Sequence, residues 1–416
     1  MTNVLENSMK KLRILQINAV YGKSSTGEIV KDISKAILGE GWESYVGCAK
    51  VLSADTEESG KIQIGNDLDY KLHALCSRVF GLQGYFSGLS TLLFLRKIDR
   101  IKPDIIHVHN LHSNFININL LFKYIRKRRI HTIITLHDCW FFTGKCYHYL
   151  YDNCYRWEYG CGDCPRIKKE IPSYFFDFTK AVYKEKQKNI GDNPYVHIVG
   201  VSKWITEEAK RSLLKSKILY PICNGVDLQI FRPRESLMRK DYSLEDKFVI
   251  LGMANKWLAF ENKKTYEFII DNLKENYTLV LLGCNKECVS QQQVINIPFV
   301  SDRVRLAEIY SMADVFVNVT KVDSLPTVNI EAIACGTPVI TYNSGGSAEI
   351  IDSSVGHVVE YGNMKKLLNA IYDIEEKGKK HFTTNCRRKA ALNYDKTFCY
   401  KKYIEIYMQL SQNSDC

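Results

Sequence analysis

Two carboxylates stand eight residues apart in the sequence DSLPTVNIEAIACGTPVITYNSGG, which begins at Asp323. The second is Glu331, and a proline and a short apolar run separate the two. Asp323 follows DVFVNVT, a segment typical of a buried strand, and the residues after Pro326 are typical of a helix. In an open parallel sheet, ligands bind beyond the carboxyl ends of the strands. The spacing therefore predicts a ligand site where this strand passes into this helix.

The start of the predicted helix has the chemistry of an anion site. Its first backbone amides, near Ser324 to Val328, have no partner within the helix and can bind a phosphate. Glu331 can accept two hydrogen bonds from sugar hydroxyls, although the helix dipole alone would also favour a carboxylate near a helix start. Gly345 and Gly346 then follow the next predicted strand. The order of acid, loop, second acid and glycine pair favours a functional site over a purely structural role.

Length and composition bound the class of protein. The chain has 416 residues, 45% of them hydrophobic and 25% charged, so two globular domains are expected. No apolar run is long enough to span a bilayer, and the first residues, MTNVLENSMKK, lack the apolar core of a signal peptide. We therefore expect a cytoplasmic protein whose fourteen cysteines are thiols or metal ligands rather than disulfides.

The net charge of +11 allows two interpretations. It is either a means of solubility or an attraction to an anionic partner. The basic runs Arg126–Arg129 and Lys377–His381 match no nucleic-acid motif, so nucleic acid is not expected as a partner. An anionic membrane surface carrying a phosphate-linked acceptor is favoured instead. Arg126–Arg129, with Tyr85 and Phe86, are the candidates for contact with the inner face of such a membrane.

Strands and helices alternate in two separate series. The first begins with LRILQINAVYGKSSTG, a strand that runs into a loop with Gly22 and Gly27, followed by an amphipathic helix and a second strand. The second series begins with KFVILGMA at residue 247. The prediction is an α/β protein with two Rossmann-like, doubly wound domains that face each other across a cleft. The predicted parts are an N-terminal domain (1–230), a C-terminal domain (247–394) and a final helix (395–416) that packs back on the N-terminal domain.

The stretch from Asp323 to Gly346 resembles the signature of glycosyltransferase family 4, which contains retaining enzymes of the GT-B fold. Further resemblances are ILQIN with its glycine loop, TLHD, VSKW, NGVD and VRLAEIYSMADVFVNVT, so that nearly the whole chain is covered. The resemblance implies transfer of a sugar from a nucleotide-diphosphate sugar to a hydroxyl of a glycan, with retained anomeric configuration. It also implies that the second domain binds the donor and the first faces the acceptor, in surface polysaccharide assembly.

The resemblance also assigns roles to single residues. Asp323 would contact the transferred sugar, although the family usually has glutamate there, and Glu331 would bind the ribose. His137, in TLHD, would face the donor sugar or phosphate. Ser324, Leu325, Gly345 and Gly346 would complete the donor site, and the glycines of the first loop, Gly22 and Gly27, would allow close approach of the donor or acceptor.

A growing charge on the diphosphate leaving group has to be neutralised by lysine, by helix amides or by a metal. The family usually places an arginine and a lysine–glycine pair there, whereas this chain has LGMANKWLAFENKKTYEFI. The candidates are Lys256, Lys263 and Lys264, of which Lys264 fits best. The predicted donor domain, 247–394, contains no Asp-x-Asp sequence of the kind found in metal-dependent sugar transferases, so no catalytic metal is expected. The histidines of HVHNLHS are a possible metal group, but lining of the cleft is preferred because acidic ligands are lacking.

A cysteine-rich insertion, 139–165, carries Cys146, Cys154, Cys161 and Cys164. The terminal Cys-Gly-Asp-Cys is suited to tetrahedral binding of a metal by thiolates, so we predict a structural zinc. The alternative is four reduced cysteines in a packed loop. The insertion also resembles that of family 4 enzymes that act on surface polysaccharides.

Two other functions remain open. A sugar-nucleotide epimerase of the same fold would bind the donor but need no acceptor. A non-catalytic nucleotide-sugar-binding protein is the second alternative, because Asp323 replaces the usual glutamate and the arginine is absent.

Overall fold

The computed structural model describes residues 11–50, 60–284 and 291–412. The chain divides into two compact units. The first contains Met1–Gly200, Thr206–Ile222 and Tyr400–Cys416, and the second contains Val201–Ile205 and Cys223–Cys399.

The first unit is built on a seven-stranded parallel sheet. Its strands are β1 (Arg13–Ile17), β2 (Glu43–Cys48), β3 (Gly60–Gln63), β4 (Ile105–Val108), β5 (His131–Leu136), β6 (Val196–Gly200) and β7 (Leu219–Pro221). They lie in the order β3-β2-β1-β4-β5-β6-β7. The helices in this part of the chain are α1 (Ser24–Gly39), α2 (Asp67–Phe80), α3 (Gly88–Ile101), α4 (Ile118–Arg128), α5 (Thr179–Lys186) and α6 (Lys203–Lys210).

The second unit is built on a six-stranded parallel sheet. From residue 238 onward the helices and strands follow in the order α7 (Met238–Asp241), β8 (Phe248–Met253), α8 (Ala254–Trp257), α9 (Lys263–Asp271), β9 (Tyr277–Leu282), β10 (Val294–Ile297), α10 (Arg303–Met312), β11 (Val315–Asn318), α11 (Thr327–Ala334), β12 (Val339–Tyr342), β13 (Gly356–Val359), α12 (Met364–Lys377), α13 (Lys379–Asn393) and α14 (Lys396–Gln412). From Tyr400 onward, α14 belongs to the first unit. The strand order is β10-β9-β8-β11-β12-β13.

Both sheets have the strand order of a dinucleotide-binding fold, in which the third, second, first, fourth, fifth and sixth strands lie side by side. The chain reverses direction across the sheet at β1 and β4 in the first unit and at β8 and β11 in the second. Loops that leave such a pair of strands run to opposite faces, which opens a crevice at their carboxyl ends. The predicted site residues after β4, β5, β8 and β11 all lie at this edge of their own sheet.

The strands form because their sequences suit burial on both faces. Every residue of β9, with the sequence YTLVLL, is buried, and so is every residue of β4, β11 and β12. Such continuous apolar runs are typical of parallel strands covered by helices on both sides. The predicted two-domain α/β class is confirmed.

Several local predictions need correction. The sequence identified none of the four edge strands, β3, β7, β10 and β13, because runs of three or four mixed residues give little periodic signal. The predicted final helix is α14, but Phe398 does not share the buried face of Tyr403 and Leu410, since its side chain is 53% exposed. Within the described ranges, no helix is long and apolar enough to cross a membrane.

Candidate functional site

The loop between β11 and α11 holds Asp323 in a fixed turn. The Oδ1 atom of Asp323 accepts a hydrogen bond from the amide of Leu325 at 3.1 Å. The carbonyl oxygen of Asp323 accepts another from the amide of Gly346 at 2.8 Å. Since one bond holds the side chain and the other the backbone, the carboxylate is positioned before any ligand arrives.

The glycine pair packs directly against this loop. Gly345 has a φ of +58°, and a Cβ atom there would lie 2.3 Å from the carbonyl oxygen of Asp323. A Cβ atom on Gly346 would lie 1.8 Å from the carbonyl oxygen of Ser324. Both distances are far below van der Waals contact, so the two backbones approach as only glycine allows. Close packing therefore explains why both positions are glycine, and the pair supports the loop that carries Asp323.

Three buried polar atoms beside this loop lack a hydrogen-bond partner in the part of the chain that the structure describes. They are Ser324 Oγ, Ser347 Oγ and Asn329 Nδ2. The oxygen of the Asn329 amide is used, because Asn318 Nδ2 donates to it at 2.8 Å. Buried polar groups are almost always satisfied in folded proteins, and unsatisfied ones often mark a site that a ligand completes. These atoms therefore support the predicted site between Asp323 and α11.

Glu331 lies in α11 and is held from below by a tyrosine. Tyr310 in α10 is fully buried, and its hydroxyl donates to Glu331 Oε2 at 3.0 Å. Burial raises the pKa of Glu331, while the tyrosine hydroxyl and the nearby Arg303 oppose that rise. A carboxylate with one oxygen anchored inside the protein can offer its other oxygen to a hydroxyl pair such as that of ribose.

The three predicted lysines differ in their surroundings. Lys256 lies in the short helix α8 directly after β8 and is partly exposed. Lys263 and Lys264 are exposed in the first turn of α9, and Lys263 lies 3.7 Å from Glu267. Lys321 was not predicted, although it precedes Asp323 by two residues in the same loop and its Nζ lies 5.7 Å from the Tyr361 ring centre. Its place in that loop was the signal that would have identified it.

Glu349 is a second residue whose role the sequence did not reveal. Its carboxylate accepts hydrogen bonds from the backbone amides of Lys203 at 2.9 Å and Trp204 at 2.5 Å. These amides are the first of α6 and lie in the part of the chain that groups with the second unit. Glu349 therefore acts as an N-terminal cap supplied from a distant part of the sequence. The VSKW and GGSAE segments are joined by this contact.

In the first unit, the glycine loop after β1 is shorter than predicted. Gly22 lies in the loop with a φ of +63°, and its amide donates to the carbonyl oxygen of Gly27 at 3.0 Å. Gly27 was predicted to lie in the loop but belongs to the first turn of α1, which begins at Ser24. A Cβ atom on Gly27 would lie 3.2 Å from Val20 Cγ2 and 3.3 Å from the Gly22 amide nitrogen. Gly27 therefore lets the loop fold back tightly on the helix.

His137 follows β5 and is linked to two buried residues. His137 Nε2 lies 3.1 Å from His109 Nδ1, and His109 Nε2 lies 3.2 Å from Gln16 Oε1. Gln16 Nε2 faces the carbonyl oxygen of Val30 at 3.2 Å, an atom that can only accept. The orientation of the Gln16 amide is thereby set, and its oxygen must accept from His109 Nε2.

The orientation of the Gln16 amide determines which nitrogens of His109 and His137 carry hydrogen. Burial lowers the pKa of His137 to about 4 and the pKa of His109 well below its usual value, so both rings are neutral at pH 7. A neutral His109 that donates from Nε2 must accept at Nδ1, so His137 donates from Nε2. Nδ1 of His137 is then its acceptor nitrogen. The structure thus gives His137 one defined tautomer.

The other two predicted histidines have separate partners. His107 contacts the Tyr407 hydroxyl through Nδ1 at 2.6 Å and the Thr135 hydroxyl through Nε2 at 2.8 Å. His112 contacts Asp138 Oδ2 at 2.9 Å. Among the residues that the structure describes, no three histidine, cysteine or acidic side chains are placed to hold a metal ion. The histidines therefore act as hydrogen-bonding groups in this structure.

The four cysteines of the insertion are close neighbours. They are among eleven free thiols in the described ranges, while Cys284 is disulfide-bonded, contrary to the expectation of thiols throughout. Burial raises the pKa of Cys146 to about 12, and the neighbouring Cys161 and Cys164 add to that rise. The Cys161 sulfur accepts a hydrogen bond from the amide of Gly144 at 3.1 Å. To hold zinc, the four thiolates would have to turn toward a common point, so the zinc site stays a prediction.

Comparison with known families agrees with the geometry of both sheets. Residues 27–230 match the model described as Glycosyltransferase Family 4, and residues 247–391 match the model described as Glycosyl transferases group 1. The two matches cover both units and the predicted site residues from Gly27 onward. The chain belongs to glycosyltransferase family 4.

Two relatives of this family 4 chain illustrate how distant its curated neighbours are. It is 23% identical to the putative colanic acid biosynthesis glycosyl transferase WcaC of Escherichia coli K12, over 64% of this chain and 66% of that one. It is 24% identical to N,N'-diacetylbacillosaminyl-diphospho-undecaprenol alpha-1,3-N-acetylgalactosaminyltransferase of Campylobacter jejuni, over 48% and 57% of the two chains. The alignments thus span about two thirds or less of these relatives.

Solved structures show that this family 4 chain has the GT-B fold. Sucrose-phosphate synthase from Thermosynechococcus elongatus superposes with a TM-score of 0.71 at 16% identity, covering 96% of this chain and 99% of the other. Anabaena HepE, solved in complex with UDP and glucose, has a TM-score of 0.65 at 13% identity and covers 95% and 99%. At such identities the likeness concerns the fold. The predicted GT-B architecture and family are confirmed.

Proposed function

We propose that the chain transfers a sugar from a nucleotide-diphosphate sugar to a hydroxyl of a lipid-linked glycan in surface polysaccharide biosynthesis. The observation that carries the proposal is the arrangement around α11. Asp323 is fixed at the start of this helix, Glu331 is anchored by Tyr310, and Ser324 and Ser347 leave buried oxygens without partners among the described residues. These groups suit a sugar, a ribose and a phosphate.

The donor site lies in the second unit under this proposal. Backbone amides at the start of α11 would bind the diphosphate, aided by Lys256 or Lys264. Glu331 would accept from the ribose hydroxyls, and Asp323 from the sugar. The complex of Anabaena HepE with UDP and glucose supports a nucleotide donor for a chain of this fold. Gly345 and Gly346 would act by supporting the Asp323 loop.

The reaction proposed is a retaining transfer, in which the acceptor attacks the anomeric carbon on the same face from which the nucleoside diphosphate departs. The bond between the anomeric carbon and the diphosphate oxygen breaks, and the nucleoside diphosphate departs with the electron pair. The acceptor oxygen forms the new bond to the same carbon, and its proton passes to the departing phosphate oxygen. Positive charge and helix amides stabilise the leaving group. His137, with Nδ1 as acceptor, would orient a hydroxyl of the donor sugar.

The lipid-linked acceptor is supported by the relatives and by charge. The Campylobacter jejuni relative is named for a diphospho-undecaprenol acceptor, and the Escherichia coli relative for colanic acid biosynthesis. A net charge of +11 suits an acceptor linked through phosphate at an anionic membrane. Peripheral association with the inner face of that membrane belongs to the same proposal.

A donor screen tests the proposal. The purified chain is incubated with UDP-, GDP- and dTDP-sugars and the thermal midpoint is followed. One donor class should raise the midpoint by mass action, and Glu331→Ala should abolish that rise. Glu308→Ala is the matched control, because this partly buried glutamate on α10 pairs with Arg305 at 2.9 Å, outside the site. No stabilisation by any donor, or equal stabilisation of both variants, would contradict the assignment.

Acceptor dependence separates the alternatives. A transferase consumes the donor at full rate only when a glycan acceptor is added, whereas an epimerase converts the sugar nucleotide without one. A binding protein gives stabilisation but no turnover in either case.

A further inference from the structure

The helix α2 presents an apolar stripe to solvent. Leu68, Leu72 and Leu75 are 66%, 52% and 58% exposed and recur at helical spacing, so they lie on one face. Lys71 and Arg78 are exposed along one side of that stripe. The opposite face carries His73, Ala74 and Ser77, which are buried. The exposed leucines are therefore outside the core of the first unit.

A second stripe lies on α3. Leu89, Leu92 and Leu93 are 73%, 49% and 48% exposed in the first two turns. The same face continues in the last two turns with the exposed cations Arg96, Lys97 and Arg100. Six of the ten exposed leucines in the described ranges belong to α2 and α3 together. Scattered apolar residues are ordinary on a protein surface, but such a concentration on two helices marks a contact surface.

Direct contacts join the start of α3 to α2. His73 on α2 lies 2.7 Å from the hydroxyl of Ser87, the residue that precedes α3, and also accepts from the Gly84 amide at 3.2 Å. A Cβ atom on Gly65 would lie 2.6 Å from Asp69 Oδ2 and 3.4 Å from Ser90 Oγ. The start of α3 is thus fixed against the middle of α2, which places the two stripes on neighbouring helices.

An aromatic segment extends the surface at the end of α2. The rings of Phe80 and Phe176 are stacked at 5.9 Å, and those of Phe176 and Phe178 at 5.6 Å. Phe175 is 73% exposed beside them, and the amide of Tyr174 donates to the carbonyl oxygen of Arg78 at 2.8 Å. Tyr85 and Phe86, predicted from the sequence to touch a membrane, are partly buried instead, and Phe86 packs on His73 and Phe80.

Positive charge borders this surface where α3 meets α4. Arg128 on α4 pairs with Asp99 on α3 at 2.7 Å, and Tyr124 donates to the same carboxylate at 2.9 Å. The remaining cations of the two helix ends are exposed. They are Arg96, Lys97, Arg100, Lys123, Lys127 and Arg129. Because the only acid of α3 is already paired, the excess charge at this end is positive.

We propose that the leucine–aromatic surface of α2, α3 and residues 174–178 docks on a bilayer that contains anionic phospholipid. The leucines and phenylalanines would enter the boundary between headgroups and acyl chains, and the cations of α3 and α4 would bind the headgroups. Long basic side chains can reach the headgroups while their stems cover apolar surface. A second copy of the chain is less suited, because two such surfaces would bring the same cations face to face.

The inference deepens the membrane part of the proposed function by naming the surface that binds, and vesicle binding tests it without donor or acceptor. The full chain is floated with vesicles of phosphatidylcholine alone and of equal phosphatidylcholine and phosphatidylglycerol. We expect binding to the mixed vesicles, at least about tenfold weaker binding to phosphatidylcholine alone, and weakening by salt. Equal binding to both vesicles, or to neither, would overturn the proposal.

The decisive variant changes Leu89, Leu92 and Leu93 to glutamine. Each leucine that leaves the acyl boundary removes a favourable apolar contact, so the affinity for mixed vesicles should fall by more than about tenfold. The control is Leu237→Gln with Leu392→Gln, two leucines of the second unit that are 73% and 69% exposed. The control should bind as the parent does. Both proteins should keep the parent thermal midpoint, because the exchanged side chains are exposed.

Other outcomes have defined meanings. If the leucine variant binds the mixed vesicles as tightly as the parent does, the proposal is overturned. It is also overturned if light scattering shows that the parent is a dimer and that the leucine variant loses the dimer but keeps vesicle binding. If vesicle binding fails but sugar transfer to a soluble acceptor persists, the docking surface is wrong and the transferase assignment stands. If the chain binds vesicles but no nucleotide-sugar donor, the docking surface stands and the transferase assignment is wrong.

Discussion

His109 Nδ1 and His137 Nε2 lie 3.1 Å apart, and the proton between them belongs to His137. The cause is the buried Gln16, whose amide oxygen accepts from His109 Nε2 and whose amide nitrogen donates to the Val30 carbonyl oxygen. A buried glutamine thus determines which nitrogen of a partly exposed histidine carries hydrogen. Such control of the tautomer matters wherever a histidine must orient a substrate.

The first prediction concerns Gln16. Gln16→Leu should remove the acceptor for His109 Nε2, cost about 1–3 kcal/mol in the free energy of unfolding, and leave His137 a mixture of tautomers. Nitrogen chemical shifts of histidine-labelled protein report the tautomer directly. Gln16→Glu is the control, since a carboxylate still accepts from His109 and should keep the single tautomer. A single, unchanged tautomer in Gln16→Leu would contradict the relay.

The second prediction is acid sensitivity. Burial lowers the pKa of His107 to about 3 and of His73, His137 and His197 to about 4, all below the value of about 6.5 in an unfolded chain. Between these limits the unfolded state binds more protons, so stability should be full above pH 6.5 and should fall as pH drops toward 4. The slope should be about 1.4 kcal/mol per pH unit for each buried histidine.

Denaturant unfolding at pH 7 and pH 5 measures this effect. His197→Asn should be less stable at pH 7 but should show a smaller loss between the two pH values. A free energy of unfolding that is equal at both pH values would rule out the neutral buried histidines.

The third prediction concerns Tyr310. Tyr310→Phe removes the hydroxyl that donates to Glu331 Oε2 while keeping the buried ring. The pKa of Glu331, already raised by burial, should rise further because the hydrogen bond opposed it. Donor affinity at pH 7 should fall about two- to tenfold and should recover as pH increases. Calorimetric titration with the donor from the screen measures both, and a loss of affinity that does not depend on pH would contradict a role for the protonation of Glu331.

The fourth prediction concerns Glu349. Glu349→Gln keeps the size of the side chain but replaces a charged acceptor with a neutral one at the start of α6. The free energy of unfolding should fall by about 1 kcal/mol. Thermal denaturation measures the change, and Glu207→Gln on the exposed face of the same helix is the control. Equal effects of the two changes would show that the cap contributes nothing.

The fifth prediction concerns the insertion. If it holds a structural zinc, purified protein should contain about one zinc per chain, and Cys161→Ser with Cys164→Ser should lose it together with several degrees of thermal midpoint. Elemental analysis settles the metal content. Cys76→Ser, a partly exposed thiol on α2, is the control. Metal-free protein of unchanged stability would leave four reduced thiols in a packed loop.

The sequence was most informative where chemistry and periodicity coincide. Asp323 and Glu331 could be placed at a strand–helix junction because DVFVNVT is rich in β-branched and aromatic residues and a helical segment follows Pro326. The requirement for glycine at positions 345 and 346 could not be predicted in the same way. Their need for glycine comes from the carbonyl oxygens of Asp323 and Ser324, which belong to a different loop. Contacts between distant segments leave no local pattern.

Gln16 and Glu349 show the same limit for polar residues. A glutamine inside an apolar strand is unfavourable without the histidine that it bonds, and the sequence does not show that partner. In the sequence Glu349 stands at the start of a helical segment, but its carboxylate accepts from the amides of α6, almost 150 residues earlier. The exposed leucines of α2 and α3 were missed for a different reason. Helical spacing predicts a buried face, and only the packed structure shows which side of the helix stays outside.

The contact between His107 and Tyr407 has a consequence for biosynthesis. The two residues are 300 positions apart in the sequence, and the tyrosine lies in α14. A ribosome that adds about 5–20 residues per second would expose the first sheet for tens of seconds before α14 emerges. During that time the His107 ring has no tyrosine to bond. The nascent N-terminal half therefore waits as an incomplete domain, open to chaperones and proteases, until residues 396–412 have left the ribosome.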